Sequence, residues 1–270
     1  MSTYCTIKVP IDIPKARTDL FARLEKLNLF PTQSVCNPAI KNLDNVPIMN
    51  GHHSIRITPT DTISAAIEYH KSAPQDKICL LNFASYKTPG GLFSHCTKPP
   101  AQEEAICFCS NLYQELVKQV PNWYNKHTVL NKGLYANESI LSRDISIVAA
   151  APGDFLPQDE IFMVDVLTCP APNLGYLTRL GQKNSEEAIA AQKDRVNYVM
   201  NILCGEQYDA VILGAFGCGV FHCNPDIIST AFAEFLKQHR QQMGEVIFAI
   251  PNETSVNFTS FVKNFKQTLS

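Results

Sequence analysis

Two carboxylates stand side by side at Glu103 and Glu104, directly after Gln102. A glycine pair precedes them in the stretch PGGLFSHCTKPPAQEEAI, Pro89 to Ile106. The apolar spacing that follows predicts that the glutamates open a helix, where neighbouring side chains leave the axis about 100° apart. Such a pair cannot face each other across a scissile bond, as the acid and nucleophile of an ordinary glycosidase do at about 5 Å or more. One carboxyl can instead exchange protons while its neighbour fixes a hydroxyl. A helix start favours the charged form, burial favours the neutral form, and each glutamate raises the proton affinity of the other. These opposed effects can hold a carboxyl where general acid/base catalysis needs it. Read alone, the pair also fits ordinary first-turn glutamates.

A second glycine-bearing stretch, Gly214-Ala215-Phe216-Gly217-Cys218-Gly219-Val220-Phe221, leaves the apolar run DAVIL. Glycines let backbone amides approach an anion closely, and a helix beginning at Pro225 adds its positive end nearby. Neither stretch has the GxxxxGK[ST] pattern, nor GxGxxG opening a helix, so triphosphate and Rossmann dinucleotide sites are poorly supported. Either loop alone could be a tight turn. Together, beside Gln-Glu-Glu, they point to a phosphate or diphosphate ligand.

The elements that must position these loops follow from periodicity. A helix is predicted from Lys15 to Leu29, loop from Phe30 to Gly51, and a strand at HSIRIT (residues 53–58). A helix to Ser72 and a strand at KICLLNFA (77–84) come next, the latter apolar enough to be buried on both faces. One helix is expected from Ala101 to about Gln119, then strands at DISIVAAAP and IFMVDVLTCPAPN. Further helices are expected over 185–203, 225–242 and 257–269, with strands at DAVIL and EVIFAI between them. This alternation predicts a three-layer α/β/α sandwich with a mixed, mostly parallel sheet. Ligands would then lie beyond the carboxyl ends of its strands. We expect residues 1–50 to form a helical extension packed on a domain spanning 51–270.

With 270 residues, a formal net charge of −2 and 18% charged residues, the chain lacks the basic excess of a nucleic-acid surface. It has no apolar run of about 18 residues, so no membrane span is expected. Met1 to Pro10 lacks a signal-peptide pattern, which places the protein in the cytoplasm, specialised secretion aside. The ten cysteines are scattered, several in apolar runs, and read as reduced buried thiols. None has CxxC spacing: Cys107 and Cys109 are one residue apart, Cys218 and Cys223 four. We expect no metal and no cofactor.

The segments LLNFASYKTPGGLF…AQEEAICFCSNLYQEL and DAVILGAFGCGVFHCNPDIISTAF resemble the two signatures of the microbial-type poly(ADP-ribose) glycohydrolases, a branch of the macrodomain superfamily. CPAPN (169–173), Arg195 and the later Asn257-Phe258 fall in the family's order. The resemblance runs from about residue 54 to the end. It implies a macrodomain-like fold and hydrolysis of ADP-ribosyl bonds, with Glu104 as acid/base and Glu103 orienting ribose hydroxyls beside Gln102. It also implies a diphosphate loop of Gly217, Cys218, Gly219, Val220 and Phe221, with Phe221 against the distal ribose. Asn82, Phe83, Ala84 and Ser85, with Pro89, Gly90 and Gly91, would line the other side of the ADP-ribose.

Two departures bear on substrate. The family's third glycine is Leu92 here, which is penalised if that position needs positive φ. The nine residues Phe93 to Ala101 exceed the family's spacing and include Lys98-Pro99-Pro100. A hydrolase of polymer or of mono-ADP-ribosylated protein, a silent ADP-ribose reader and an unrelated nucleotide-phosphate enzyme are the competing readings, with a monomer expected. Tyr86 is a candidate for contact with adenine or ribose. Trp123 reads as a packing anchor, His52 and His53 as partnerless surface residues, and His95 and Cys96 as loop residues within possible reach of ligand. Cys218 would act through its backbone rather than its thiol.

Overall fold

The computed structural model describes residues 11–29, 33–50, 53–125, 133–181 and 185–269. Its elements run α1 (Ile13–Lys26), β1 (Gln33–Cys36), β2 (Ile55–Thr58), α2 (Thr62–Ser72), β3 (Ile78–Phe83), α3 (Gln102–Cys109) and α4 (Leu112–Lys118). They continue with β4 (Ile140–Ile147), β5 (Ala149–Ala151), β6 (Asp154–Phe155), β7 (Phe162–Cys169), α5 (Leu174–Arg179) and α6 (Glu186–Glu206). The chain closes with β8 (Ala210–Leu213), α7 (Pro225–His239), β9 (Glu245–Ala249) and α8 (Val256–Leu269).

Seven strands form one sheet in the order β1-β4-β7-β3-β8-β9-β2. The run β7-β3-β8-β9-β2 is parallel, and β4 is antiparallel to both its neighbours. The apolar run at β3 takes the middle position. Ile78 to Asn82 are all buried because helices cover both faces. One layer packs Val196 of α6, Phe232 of α7 and Phe261 of α8 on the sheet; the other packs Leu20 of α1, Ile63 of α2, Phe108 of α3 and Leu116 of α4. The expected mixed-sheet sandwich is the observed fold.

Two local readings change. The helix expected over 101–119 is two, because Ser110 turns extended at φ −151°, ψ 178° and bridges Ile147. The Ser110 hydroxyl donates to the Ile106 carbonyl and accepts from the Leu112 amide, the side-chain competition with helical hydrogen bonding typical of serine. Asn111 Oδ1 takes the Ser146 amide at 3.0 Å. The loop expected over 30–51 contains edge strand β1, whose four residues are too few to show a period. Helix α1, capped by Asp12, buries Ile13, Ala16, Leu20 and Leu24. The division expected at residue 50 therefore falls between two strands of the same sheet. The first ten residues and His52 lie outside the described residues.

Candidate active site

Strand β3 and helix α3 meet through one side chain. Gln102 Oε1 accepts the Phe83 amide at 2.9 Å, while its Nε2 donates to the Leu81 carbonyl at 2.8 Å and to Thr62 Oγ1 at 3.2 Å. The glutamine completes the hydrogen bonding of β3 where the ladder ends and fixes where α3 begins. Glu103 and Glu104 follow in the first turn, only 4% and 8% exposed.

Each carboxylate takes a backbone amide from the chain that leaves β3. Glu103 Oε2 accepts from Ser85 at 2.6 Å, and Glu104 Oε1 accepts from Leu92 at 2.8 Å. Glu103 Oε1 and Asn82 Oδ1 are buried without a hydrogen-bond partner among the described residues. Gly91 separates the two acids. A Cβ there would lie 2.4 Å from Glu104 Oε1 and 3.0 Å from Glu103 Oε2, at a φ of +60°. Although neighbours on a helix leave its axis in different directions, these long side chains converge on one glycine. Gly90, at φ +64°, is equally confined: a Cβ would meet the Tyr113 ring at 2.9 Å. Leu92 has φ −92°, so the position expected to hold a third glycine needs no positive φ here and leucine is unstrained.

Burial drives the Glu103 carboxyl well above the usual carboxylate range, and the neighbouring Glu104 charge adds to this. The hydrogen bond from the Ser85 amide opposes it, as do the polar Asn82 side chain and Gly90 amide nearby. Burial also pushes the Cys107 and Cys218 thiols up, which disfavours the thiolate form a nucleophile needs.

The second glycine loop leaves β8, the neighbour of β3, in the same sense. Gly217 adopts φ +74°, and a Cβ there would lie 2.5 Å from Ala171 Cβ and 2.8 Å from Cys223 Sγ. Gly214 approaches the Ala249 carbonyl as closely. Internal bonds from Cys218 to Ala215, His222 to Gly219 and Cys223 to Gly217 fold the loop tightly. The amides of Gly219, Val220 and Phe221 donate to no protein acceptor among the described residues. Such a row of uncommitted amides suits an anion.

Beside the second loop, beyond the ends of the parallel strands, is a cleft of about 330 Å³ lined by Asp61, Thr62, Phe83, Gln102, Gly219 and Asn257 among others. Helix α3 turns Gln102 and Ala105 toward this cleft and the two glutamates toward Gly90–Leu92, so the acids stand beside it rather than in its wall. Asp61, Thr62 and the cleft position of Asn257 carried no site signal in the sequence.

Other residues divide. Ala84 is fully buried, its amide bound to the Cys169 carbonyl, and Ser85 Oγ accepts the amides of Lys87 and Thr88. Phe221 is half-buried with its ring edge-on to Tyr135. Arg195, fully buried, donates to Asn137 Oδ1 and to the carbonyls of Pro170, Leu134 and Tyr135, tying the 134–137 segment to CPAPN. Tyr86 does not offer a ring to ligand: it is 1% exposed, stacked on Tyr135 at 3.7 Å and edge-on to Trp123. Trp123 is buried as an anchor. His53 has partners after all, its Nδ1 bonded to the Met243 carbonyl at 2.7 Å and its own carbonyl accepting from Arg240. His95 is exposed, whereas Cys96 is buried with its thiol on the Lys98 carbonyl. Cys218 Sγ turns to the Phe216 carbonyl.

This arrangement has solved counterparts. The poly(ADP-ribose) glycohydrolase of Deinococcus radiodurans in complex with ADP-ribose aligns with a TM-score of 0.71 and 26% identity, over 82% of this chain and 87% of that one. The poly(ADP-ribose) glycohydrolase of Thermomonospora curvata, bound to the inhibitor ADP-HPD, aligns with a TM-score of 0.75 and 24% identity, over 93% of this chain and all of that one. A search of curated proteins returns no match. The family described as microbial-type PARG, catalytic domain, matches residues 13–149, a span holding α1, the glycine pair and both glutamates. The chain belongs to this family and is an enzyme of the poly(ADP-ribose) glycohydrolase type.

Proposed function

We propose that the protein hydrolyses ADP-ribosyl glycosidic bonds and releases ADP-ribose from poly(ADP-ribose) or ADP-ribosylated protein, with Glu104 as general acid/base. The observation that carries this is the seating of Glu104, buried, gripped by the Leu92 amide and packed so closely on Gly91 that no side chain fits between them. The diphosphate rests on the uncommitted amides of Gly219 to Phe221, and Asn82 Oδ1 and Glu103 Oε1 accept ribose hydroxyls. Phe221 packs on the distal ribose, and Asn82 to Ser85 with Pro89 to Gly91 form the facing wall. ADP-ribose in the Deinococcus relative and ADP-HPD in the Thermomonospora relative support this ligand class.

Glu104 gives its proton to the departing oxygen as the C–O bond breaks and the anomeric carbon takes oxocarbenium character. Water then adds to that carbon and returns a proton to Glu104. Fixed negative charge from the diphosphate stabilises the cation. Release of ADP-ribose from polymer and from mono-ADP-ribosylated protein, followed with ADP-ribose affinity, tests the assignment. Glu104→Gln is expected to cut release by about 10²–10⁴-fold while affinity stays near wild type. Undiminished release by the variant would remove Glu104 from the mechanism.

A second reading, preference for mono-ADP-ribosylated protein, is favoured by Leu92, 67% exposed beside Glu104 where the family has glycine. A larger kcat/KM on mono-adducts than on polymer would establish it. The unstrained backbone of Leu92 argues for turnover over a silent reader. We take the protein to act as a monomer in the cytoplasm; among the described residues no helix is long and apolar enough to cross a membrane.

A further inference from the structure

The loop that grips Glu104 carries no helix or strand beyond a single turn at Phe93–His95, yet it is not free to swing. Directly after Leu92, Phe93 is fully buried and packs against Phe108 at 4.7 Å, Tyr113 at 4.5 Å and the edge of Phe21 at 6.0 Å. Phe21 belongs to α1. One turn earlier on α1, Arg17 lays its guanidinium over the Phe93 and Phe108 rings at 5.6 and 5.8 Å and donates from Nη2 to the Cys96 carbonyl at 2.8 Å. Helix α1 thus holds the loop at two points, a ring at 93 and a carbonyl at 96. The Leu92 amide that binds Glu104 is the next residue back along the chain.

We infer that Arg17 is a positioning residue for Glu104, acting through the loop: α1 clamps Phe93 and Cys96 so that the Leu92 amide is presented to the Glu104 carboxylate. The inference rests on Glu104 being the acid/base. Arg17 touches neither glutamate, so it affects the geometry of the reacting group and not the cleft that binds ADP-ribose. In a loop with ten residues between glycine pair and helix, this tether replaces stiffness that a shorter connection would supply. Misplacement of a reacting group by about 1 Å can cost about 10²-fold in rate.

Two variants test this. Arg17→Ala removes the whole contact; Arg17→Met keeps apolar cover over the rings but loses the donor, and serves if the alanine variant folds poorly. Steady-state kinetics, calorimetric ADP-ribose binding and amide hydrogen exchange would be measured on the full chain, with Lys15→Ala, an exposed site on the same helix, as control. The expected result is a fall in kcat of about 10–100-fold with ADP-ribose affinity within about threefold of wild type. Exchange should quicken at the Leu92 and Phe93 amides and stay unchanged in β3 and β8. A folded Arg17→Met protein with wild-type kcat and unchanged exchange at Leu92 would overturn the inference, as would loss of kcat and affinity in equal measure. If the wild type releases no ADP-ribose, the hydrolase reading fails separately, and exchange at Leu92 still decides whether the clamp exists.

Discussion

At Gly91 a methyl group would sit 2.4 Å from Glu104 Oε1; at Gly219, in the other loop, it would meet nothing within 4 Å. The two glycine loops leave adjacent parallel strands and look alike as text, but they use glycine differently. In the first, both glycines have positive φ and both are hemmed in by side chains, those at Gly91 being Glu103 and Glu104. In the second, Gly217 is needed to turn the chain against Ala171 and Cys223, while Gly219 faces open space at the cleft. Absence of a side chain therefore serves to seat two buried carboxyls in one loop, and in the other to fold a rim at Gly217 and leave open space at Gly219.

Gly91→Ala should break the first loop outright. Positive φ and the collision with Glu104 together push the carboxylate away, and kcat should fall by about 10²-fold or more. Retained activity would mean that Glu104 has room to move and that its seat is not what Gly91 secures. In the second loop, Gly217→Ala should lower unfolding stability by about 1–3 kcal/mol, read by denaturant melting, since a methyl must be forced against Ala171 at an unfavourable φ. Gly219→Ala should stay within about 0.5 kcal/mol of wild type and instead weaken ADP-ribose binding. Equal destabilisation by both would erase the contrast inside that loop.

The smallest effect concerns Glu103. Its raised carboxyl means the folded state keeps its proton at pH values where the unfolded chain has already lost it. Stability is therefore greatest below the unfolded carboxyl pKa, about 4.3, and falls as pH rises toward the folded value. Glu103→Gln keeps an acceptor for the Ser85 amide and removes that penalty, so its Tm should exceed wild type by a few degrees at pH 8 and by little at pH 4. A Tm difference independent of pH would show that burial does not hold Glu103 neutral.

Much of this was legible in the sequence because the signals are local. The continuous apolar runs at 78–83 and 210–213 are strands covered on both faces, and the glycine pair and Gln-Glu-Glu of the candidate site lie within one short stretch, 90–104. What escaped is non-local or too short. Arg17 and Cys96 are 79 positions apart and share no motif, so their hydrogen bond exists only once α1 is packed on α3. Strand β1 has four residues, and Ser110 breaks a helix through a bond to its own preceding turn that helical periodicity does not reveal. Tyr86 read as a ligand contact because it lies in the signature, but the fold closes it under Tyr135.

The bridge made by Gln102 has an evolutionary consequence. Because its amide group occupies both the Phe83 amide and the Leu81 carbonyl, the register of Glu103 and Glu104 is counted from the sheet and not along the chain from the glycine pair. Residues can then be gained or lost between 93 and 101 at a modest entropic cost, about 0.6 kcal/mol for each doubling of length, without moving the acids. The loop can then change in length, and with it whatever it meets outside the cleft, while both glutamates stay anchored to β3.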